Sequence, residues 1–415
     1  MEYVSVSSLE SGMVLSGDLV APNGRFILPK GARLTQKNIM SIKIWGVSKV
    51  PVAKPPDRNG APDSEILFSS SVMEEAREII LERFSGNPPQ WPVMEEIFNV
   101  AVMDTASRLS EGDVPLRPEI FNSHFSDIPE GSAEKTDMEA LLGAENGLAT
   151  LPDVYARISD ALRSPKSSAT HIADLVSKDT ALSAIILKLA NSAMYGVPGK
   201  VDSILRATTL IGGRALSTLA LGVSATRLFR GISVKWVNME SFWKHSISVA
   251  VIAQILVSRK NPRAIEQLFA AGMLHDIGRL ALFRHAPRTM SRLIADASAE
   301  KLPLDFMERE VLGFDHGELG GRLLERWNFP LSLSSLIMSH HKERERPKNC
   351  ASAVLAAADV LASVTDEGGS GSWYAAPLSE ETWKAADLPS SVLEMTIRQA
   401  RRQISEIYNL FQGSD

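Results

Sequence analysis

His245, the doublet His275-Asp276, His316, the pair His340-His341 and then Asp359 follow one another through the second half of this chain. Imidazole nitrogens and carboxylate oxygens are the usual protein ligands for divalent transition metals. Brought together by folding, these side chains would hold one ion or two. The ions open to such a donor set are Fe, Mn, Zn, Co or Ni. Taken singly, the signals are weak, because HD and HH are common dipeptides. A histidine in a helix is most often a surface residue or a hydrogen-bonded core residue, and His124, His171 and His285 are read that way. Asp359 is more specific. It lies in the apolar run ASAVLAAADVLAS, where a carboxylate needs a partner or a cation. The joint order within one helical region carries the metal reading.

The elements that must position these donors are helices. From Leu151 to about Leu410 the apolar residues recur at i, i+3, i+4 and i+7, as in ALSAIILKLANSAMYG and SISVAVIAQILVSRK. His275 and Asp276 end the helical run IEQLFAAGMLHD, and Gly278 ends or loosens it. Adjacent helix positions are offset by about 100°, so both side chains reach one point only near a terminus or kink. His245 lies inside WKHSISVAVIAQIL. His316 follows the start signals Gly313 and Asp315, and His340-His341 closes LSLSSLIMSHH. The Asn191-Ser192 pair and Gly196 read as a helix end, and Trp327, Phe329 and Pro330 as packing and turn residues.

The rest of the 415 residues divides by composition. Residues 1–53 carry β-favouring residues between the turn signals Pro22-Asn23-Gly24 and Pro29-Lys30-Gly31, with a short helix from Thr35 to Gly46 before a final strand. Residues 54–110 read as a linker followed by two amphipathic helices, near 66–84 and 91–110. Residues 111–150 are a second, polar linker. Residues 151–365 form the helical domain, and 366–415 hold the loop DEGGSGSW and closing helices. The fold class expected is mainly all-α, a multi-helix bundle with a small β-rich N-terminal module.

A hydrophobic fraction of 44% permits sizeable cores, and the formal net charge of -5 offers no basic field for nucleic acid. The single cysteine, Cys350, cannot form an internal disulfide and fits a reducing compartment. No apolar run reaches the roughly 18–20 residues of a membrane span, and the first residues lack a signal peptide's pattern. A cytoplasmic protein is expected.

The order H…HD…H…HH…D resembles the HD superfamily of metal-dependent phosphohydrolases. That resemblance implies an HD-type bundle and metal roles for His245, His275, Asp276, His316, His340, His341 and Asp359. It also implies a water acidified by the metal as nucleophile on a phosphoester, and a phosphate contact for Arg279. Four segments are similar to the HDOD domain, the HD-related output domain of bacterial signalling proteins: LPDVYARISDALRSP, IADLVSKDTALSAIILKLANSAMYG, VDSILRATTLIGGRAL and GFDHGELGGRLLERWNFP. The N-terminal order LESGMVLSGDLV…LPKGARLT…GVSKVPV resembles the small domain that precedes HD-GYP cyclic-di-GMP phosphodiesterases. HHKERERPKNC stands where those enzymes carry a Gly-Tyr-Pro loop.

Two functions follow from these resemblances. One is a signal-transduction output protein that keeps a metal site and acts on a signalling protein partner. The other is a metal-dependent phosphohydrolase or phosphodiesterase acting on a nucleotide or cyclic dinucleotide.

Overall fold

The structure is a computed structural model. It describes most of residues 2–52, residues 68–86, 91–113 and 136–144, most of 157–191, residues 200–226, and nearly all of 238–412. The turn signals at 22–24 and 29–31, most of the helix expected over 35–46, the 54–65 linker, His124 and Ser192–Gly196 lie outside the described residues.

The N-terminal module closes by pairing its ends. Strand β1 (Glu2–Ser5) runs antiparallel to β4 (Lys49–Val52), with Glu2 opposite Val52 and Ser5 opposite Lys49. Strands β2 (Leu19–Val20) and β3 (Phe26–Leu28) form a second antiparallel pair. Leu15, Leu19, Ile27, Leu28, Val50 and Val52 are buried between these pieces.

Helices α1 (Ser70–Arg83) and α2 (Pro92–Ser110) follow, packed against each other. The Ser69 hydroxyl caps α1 by accepting from the Val72 amide, and Pro92 opens α2 at the position where its missing N–H costs nothing. Inside the stretch read as a polar linker, Met138–Ala144 forms the short helix α3, with Leu141 and Leu142 buried. Seven residues are too few to show a helical period.

The helical region continues with α4 (Ala169–Ser177), α5 (Thr180–Asn191), α6 (Ile204–Ile211) and α7 (Gly213–Thr226). At the end of α5 the Asn191 side chain bonds the Leu187 carbonyl and both backbone groups of Val201, so it staples the helix end to the returning chain. The bundle's centre is α8 (Met239–Val257), buried on all sides from Ile247 to Val257. Helices α9 (Ile265–Leu274), α15 (Cys350–Thr365) and α17 (Leu393–Gln412) pack around it. The remaining elements are α10 (Ile277–His285), α11 (Pro287–Glu300), α12 (Leu304–Leu312), α13 (His316–Arg326), α14 (Leu331–Ser339) and α16 (Glu380–Ala386). The chain is thus mainly all-α with a small β module at its N-terminus. Among the described residues no helix is long and apolar enough to cross a membrane.

Two glycines set how closely the helices approach. A Cβ on Gly272 would fall inside the backbone of Ala250, so α9 crosses α8 at that point with no side chain between them. A Cβ on Gly278 would overlap the His316 carbonyl, and the same holds where α10 crosses α13. Gly278, read as a helix end from sequence, sits inside α10 and serves this crossing.

Candidate metal centre

The sequence-predicted donors converge, and most arrive from helix ends. Leu274 ends α9, His275 is its last cap residue, and Asp276 is the N-cap of α10. The break between the two helices turns both side chains to one place. His316 is the first residue of α13, behind an Asp315 carboxylate that caps the helix through the Glu318 amide. Gly313, with φ of 84°, ends α12 and does not start α13. His340 caps the C-terminus of α14 and His341 follows it. Only His245 and Asp359 come from helix interiors, on α8 and α15.

The donors form two groups. His245, His275 and Asp276 offer ligand atoms within 4.8 Å of one another, and so do His316, His340 and His341. Asp276 stands between the groups. Its Oδ2 lies 3.3 Å from His275 Nε2 and 3.8 Å from His245 Nε2, while its Oδ1 lies 2.7 Å from His316 Nε2. Asp359 Oδ1 adds a carboxylate oxygen 3.5 Å from His245 Nε2 and 3.7 Å from His275 Nε2. The His275 and His340 rings bridge the groups, 5.2 Å between centroids.

The outer ring nitrogens are held in place. His275 Nδ1 donates to the Gly272 carbonyl at 2.8 Å and His340 Nδ1 to the Ile337 carbonyl at 2.7 Å. Both Nε2 atoms are buried without a hydrogen-bond partner. An unmet buried polar atom costs about 1–3 kcal/mol, so a cluster of them is stable only against water or a cation. Imidazoles anchored through Nδ1–H to a backbone carbonyl, with Nε2 beside carboxylates, are the pattern of imidazole metal ligands. The residues present fit a divalent ion.

Sequence reasoning missed the shell behind these donors. Glu308, fully buried on α12, accepts from the His316 backbone amide at 2.8 Å and lies 2.5 Å from His316 Nδ1. Arg279 Nε also approaches His316 Nδ1, at 3.2 Å. One ring nitrogen cannot both donate and accept, and the shorter contact to an anion decides for donation to Glu308. A detectable signal existed: Leu304, Glu308 and Leu312 share one helix face, which places an acid in an apolar stripe. Asp315 Oδ2 lies 3.3 Å from His341 Nδ1, and Asp305 meets Arg344 at 3.3 Å. Arg344 also stands 3.8 Å from Asp359.

Arg279 faces the donors. Its Nη1 donates to Asp276 Oδ2 at 2.9 Å and to the Ser370 hydroxyl. Of the other histidines, His171 and His285 are exposed and away from this cluster.

Charge at the centre is lopsided. Asp276, Asp305, Glu308, Asp315 and Asp359 face the guanidiniums of Arg279, Arg309 and Arg344. Carboxylates outnumber cations, so the cluster attracts protons or metal. Burial would raise Asp276, but Arg279, His275 and His316 hold it well below the usual carboxylate range. Burial likewise works against the hydrogen bond from His245 and the charges of His275 and Arg344, which hold Asp359 low. Burial and Arg279 push His316 down, but Glu308 and Asp276 outweigh them and raise it to about 9. His340 is driven well below its ordinary value by burial and by its neighbouring histidines. A protonated His316 beside a neutral His340 means that a proton holds part of the charge a cation would carry.

The pocket over the donors is lined by His245, Asp276, Arg279, Arg344 and Asp359, together with Gly369, Ser370, Ser372, Tyr374 and Ala376. Its volume is about 20 Å³, room for a water or two.

Comparison with known proteins places the helical region beside one domain family. Residues 148–343 match the model of the HDOD domain. A protein of Treponema pallidum (strain Nichols), described as uncharacterised, is 26% identical over 199 residues, which is 48% of this chain and 38% of that protein. The chain thus spans well under two thirds of this curated relative's length. The crystal structure of an HDOD domain protein of unknown function from Geobacter sulfurreducens is 23% identical, covering 67% of this chain and 99% of its own, with a TM-score of 0.50. A Shewanella amazonensis SB2B structure, whose name proposes a phosphohydrolase, is 25% identical, covering 66% of this chain and 100% of its own, with a TM-score of 0.51.

Proposed function

We propose that this chain, whose residues 148–343 match the model of the HDOD domain, is a regulatory protein of signal transduction whose helical domain keeps an HD-type metal centre and acts through contacts with a signalling protein. The observation that carries the metal part is Asp276, which turns one carboxylate oxygen to each of two histidine groups. A carboxylate placed so would serve both groups of donors. His245, His275, Asp276 and Asp359 would hold one ion, and Asp276, His316, His340 and His341 the other. When bound, such ions supply Lewis acidity, polarising a phosphoryl oxygen and acidifying a water. The chain's own residues orient the donors: Glu308 fixes His316, while the Gly272 and Ile337 carbonyls fix His275 and His340.

The regulatory part rests on the closed pocket. A volume of about 20 Å³ has no room for a nucleotide, and the Ser370 hydroxyl takes Nη1 of the Arg279 guanidinium that would meet a phosphate. The second reading, a metal-dependent phosphohydrolase, is favoured by Arg279 and Arg344 flanking the same pocket. The deciding experiment is metal content by mass spectrometry on untagged protein beside His275→Ala, followed by a screen of nucleotides and cyclic dinucleotides. One or two equivalents of metal with no turnover supports the regulatory reading. Turnover that His275→Ala abolishes replaces it with the enzymatic one. No metal in the wild type removes the metal centre from either.

A further inference from the structure

Residues Gly369 to Ala376 were legible in sequence only as part of a Gly/Ser-rich loop, yet they are packed over the donor cluster. Ser370, Trp373, Tyr374 and Ala375 are all buried. The segment is tied down along its length. The Gly369 amide donates to the Ser241 hydroxyl at the start of α8, at 3.1 Å, and the Ser370 hydroxyl meets Arg279. Ser372 Oγ accepts from the Leu304 amide at 3.3 Å and donates to the Tyr374 carbonyl at 3.1 Å. Gly371 has a φ of 115°, a backbone state that L side chains rarely adopt, and a Cβ there would stand 3.3 Å from Leu304.

The far half of this segment is gripped by another part of the molecule. Arg83 is the last residue of α1 and is buried. Its guanidinium carbon lies 3.8 Å over the Trp373 ring, a desolvated cation–π contact. Arg83 Nη1 donates to the Trp373 carbonyl at 3.3 Å, and the Arg83 carbonyl accepts from the Ala375 amide at 2.9 Å. One residue thus holds the strap by its ring, its carbonyl and its backbone N–H. Just beyond it, the Ser85 hydroxyl donates to the Lys301 carbonyl at 2.6 Å, so the end of α1 is docked against the turn between α11 and α12.

We propose that residues 369–376 are a strap closing the metal centre and that α1 is its latch, with Arg83 as the positioning residue. Displacement of α1 releases Trp373 and Ala375, frees Ser370 from Arg279 and opens the pocket that His245 lines. The helix next to the N-terminal module in sequence is thereby coupled to a site formed some 160 to 280 residues later. The metal-centre reading enters only in what the strap closes over, since the strap's own contacts are all between protein groups.

The test uses the full-length, metal-free protein, so it reads the strap whether or not the centre binds an ion. Amide hydrogen exchange is followed across 369–376, and carbethoxylation of His245 by diethyl pyrocarbonate is followed by mass spectrometry, normalised to exposed His285. Arg83→Ala and Gly371→Ala loosen the strap from opposite sides, and Arg83→Lys keeps the cation over Trp373. The expected result is faster exchange at 369–376 and at least tenfold faster His245 labelling in both alanine variants, with Arg83→Lys between them and the wild type. Faster exchange without faster labelling overturns the closure. Unchanged exchange in Arg83→Ala overturns the latch. Should Arg83→Ala exchange throughout its length as an unfolded chain, Gly371→Ala decides: labelling of His245 at the wild-type rate then sinks the proposal.

Discussion

Asp276 Oδ1 and His316 Nε2 stand 2.7 Å apart, close enough for the carboxylate to hold a proton on the ring and help raise its pKa. The same two atoms would serve as neighbouring ligands of one ion, so a proton and a cation compete for this position. The Gly278 crossing, which seats α10 on the His316 carbonyl, produces this separation.

If Asp276 serves both groups, its loss empties both. Asp276→Ala is expected to lower bound metal to below a tenth of an equivalent. His340→Ala, which touches one group, is expected to leave the other occupied. Elemental analysis of the two variants beside the wild type measures this directly. Equal residual metal in both variants would show that Asp276 is not shared.

Glu308 is expected to act through His316. Glu308→Gln keeps the shape but weakens the hold on Nδ1–H, and a change behind a metal-ligating histidine typically lowers metal affinity about 10–100-fold. Calorimetric titration with Zn²⁺ or Mn²⁺ reads the loss. Wild-type affinity in the variant would mean that Glu308 only supports the fold.

Metal binding is expected to release protons. His316, raised to about 9, is protonated at neutral pH and must give up its Nε2 proton to bind an ion. Titrations in buffers of different ionisation enthalpy should show about one proton released per His316-bound ion at pH 7, and fewer above pH 9.

The same shift predicts the stability of metal-free protein. A folded pKa raised from 6.5 to about 9 gives stability that is fully present below pH 6.5 and is lost as pH rises through 9. His340 and His341 are shifted the other way, by burial first, so their contribution is present above pH 6.5 and is lost as pH falls through their folded pKa. Chelated protein should therefore be most stable near neutrality, and its denaturation midpoint should decline between pH 7.5 and 9.5. A flat profile over that window would contradict the charged His316.

Gly272→Ala should destabilise the fold by about 1–3 kcal/mol, the usual range for overpacking, because its methyl group meets the Ala250 backbone and not a yielding side chain. Urea denaturation gives the value, and a change under 0.5 kcal/mol would mean that α8 and α9 separate easily.

Much of this site was legible beforehand because metal chemistry needs rare residue types. His245, His275, Asp276, His316, His340, His341 and Asp359 announce themselves by kind and order, and the helical period locates the breaks that turn adjacent pairs inward. Asp305 and Arg344 were not legible, because an acid or arginine in an amphipathic stretch has the composition of a solvated face. Their inward direction is decided by how α12 and the turn after His341 pack. The packing of the 369–376 segment was not legible for a related reason. Glycine and serine signal freedom in an isolated chain, while here they let the backbone pass close beneath Leu304 and Ile294.

The helix breaks at His275-Asp276 and His340-His341 also bear on how the chain reaches its native state. Each donor pair takes its direction from a junction, and the junctions are separated along the chain by tens of residues, from His245 to Asp359. Closing loops of that length has an entropic cost before any contact offsets it. The individual helices can form early, but the donors meet only after the crossings at Gly272 and Gly278 have locked. In refolding, the moment at which His316 finds Asp276 should then be among the last events, and the rate of metal capture would time the completion of the whole bundle.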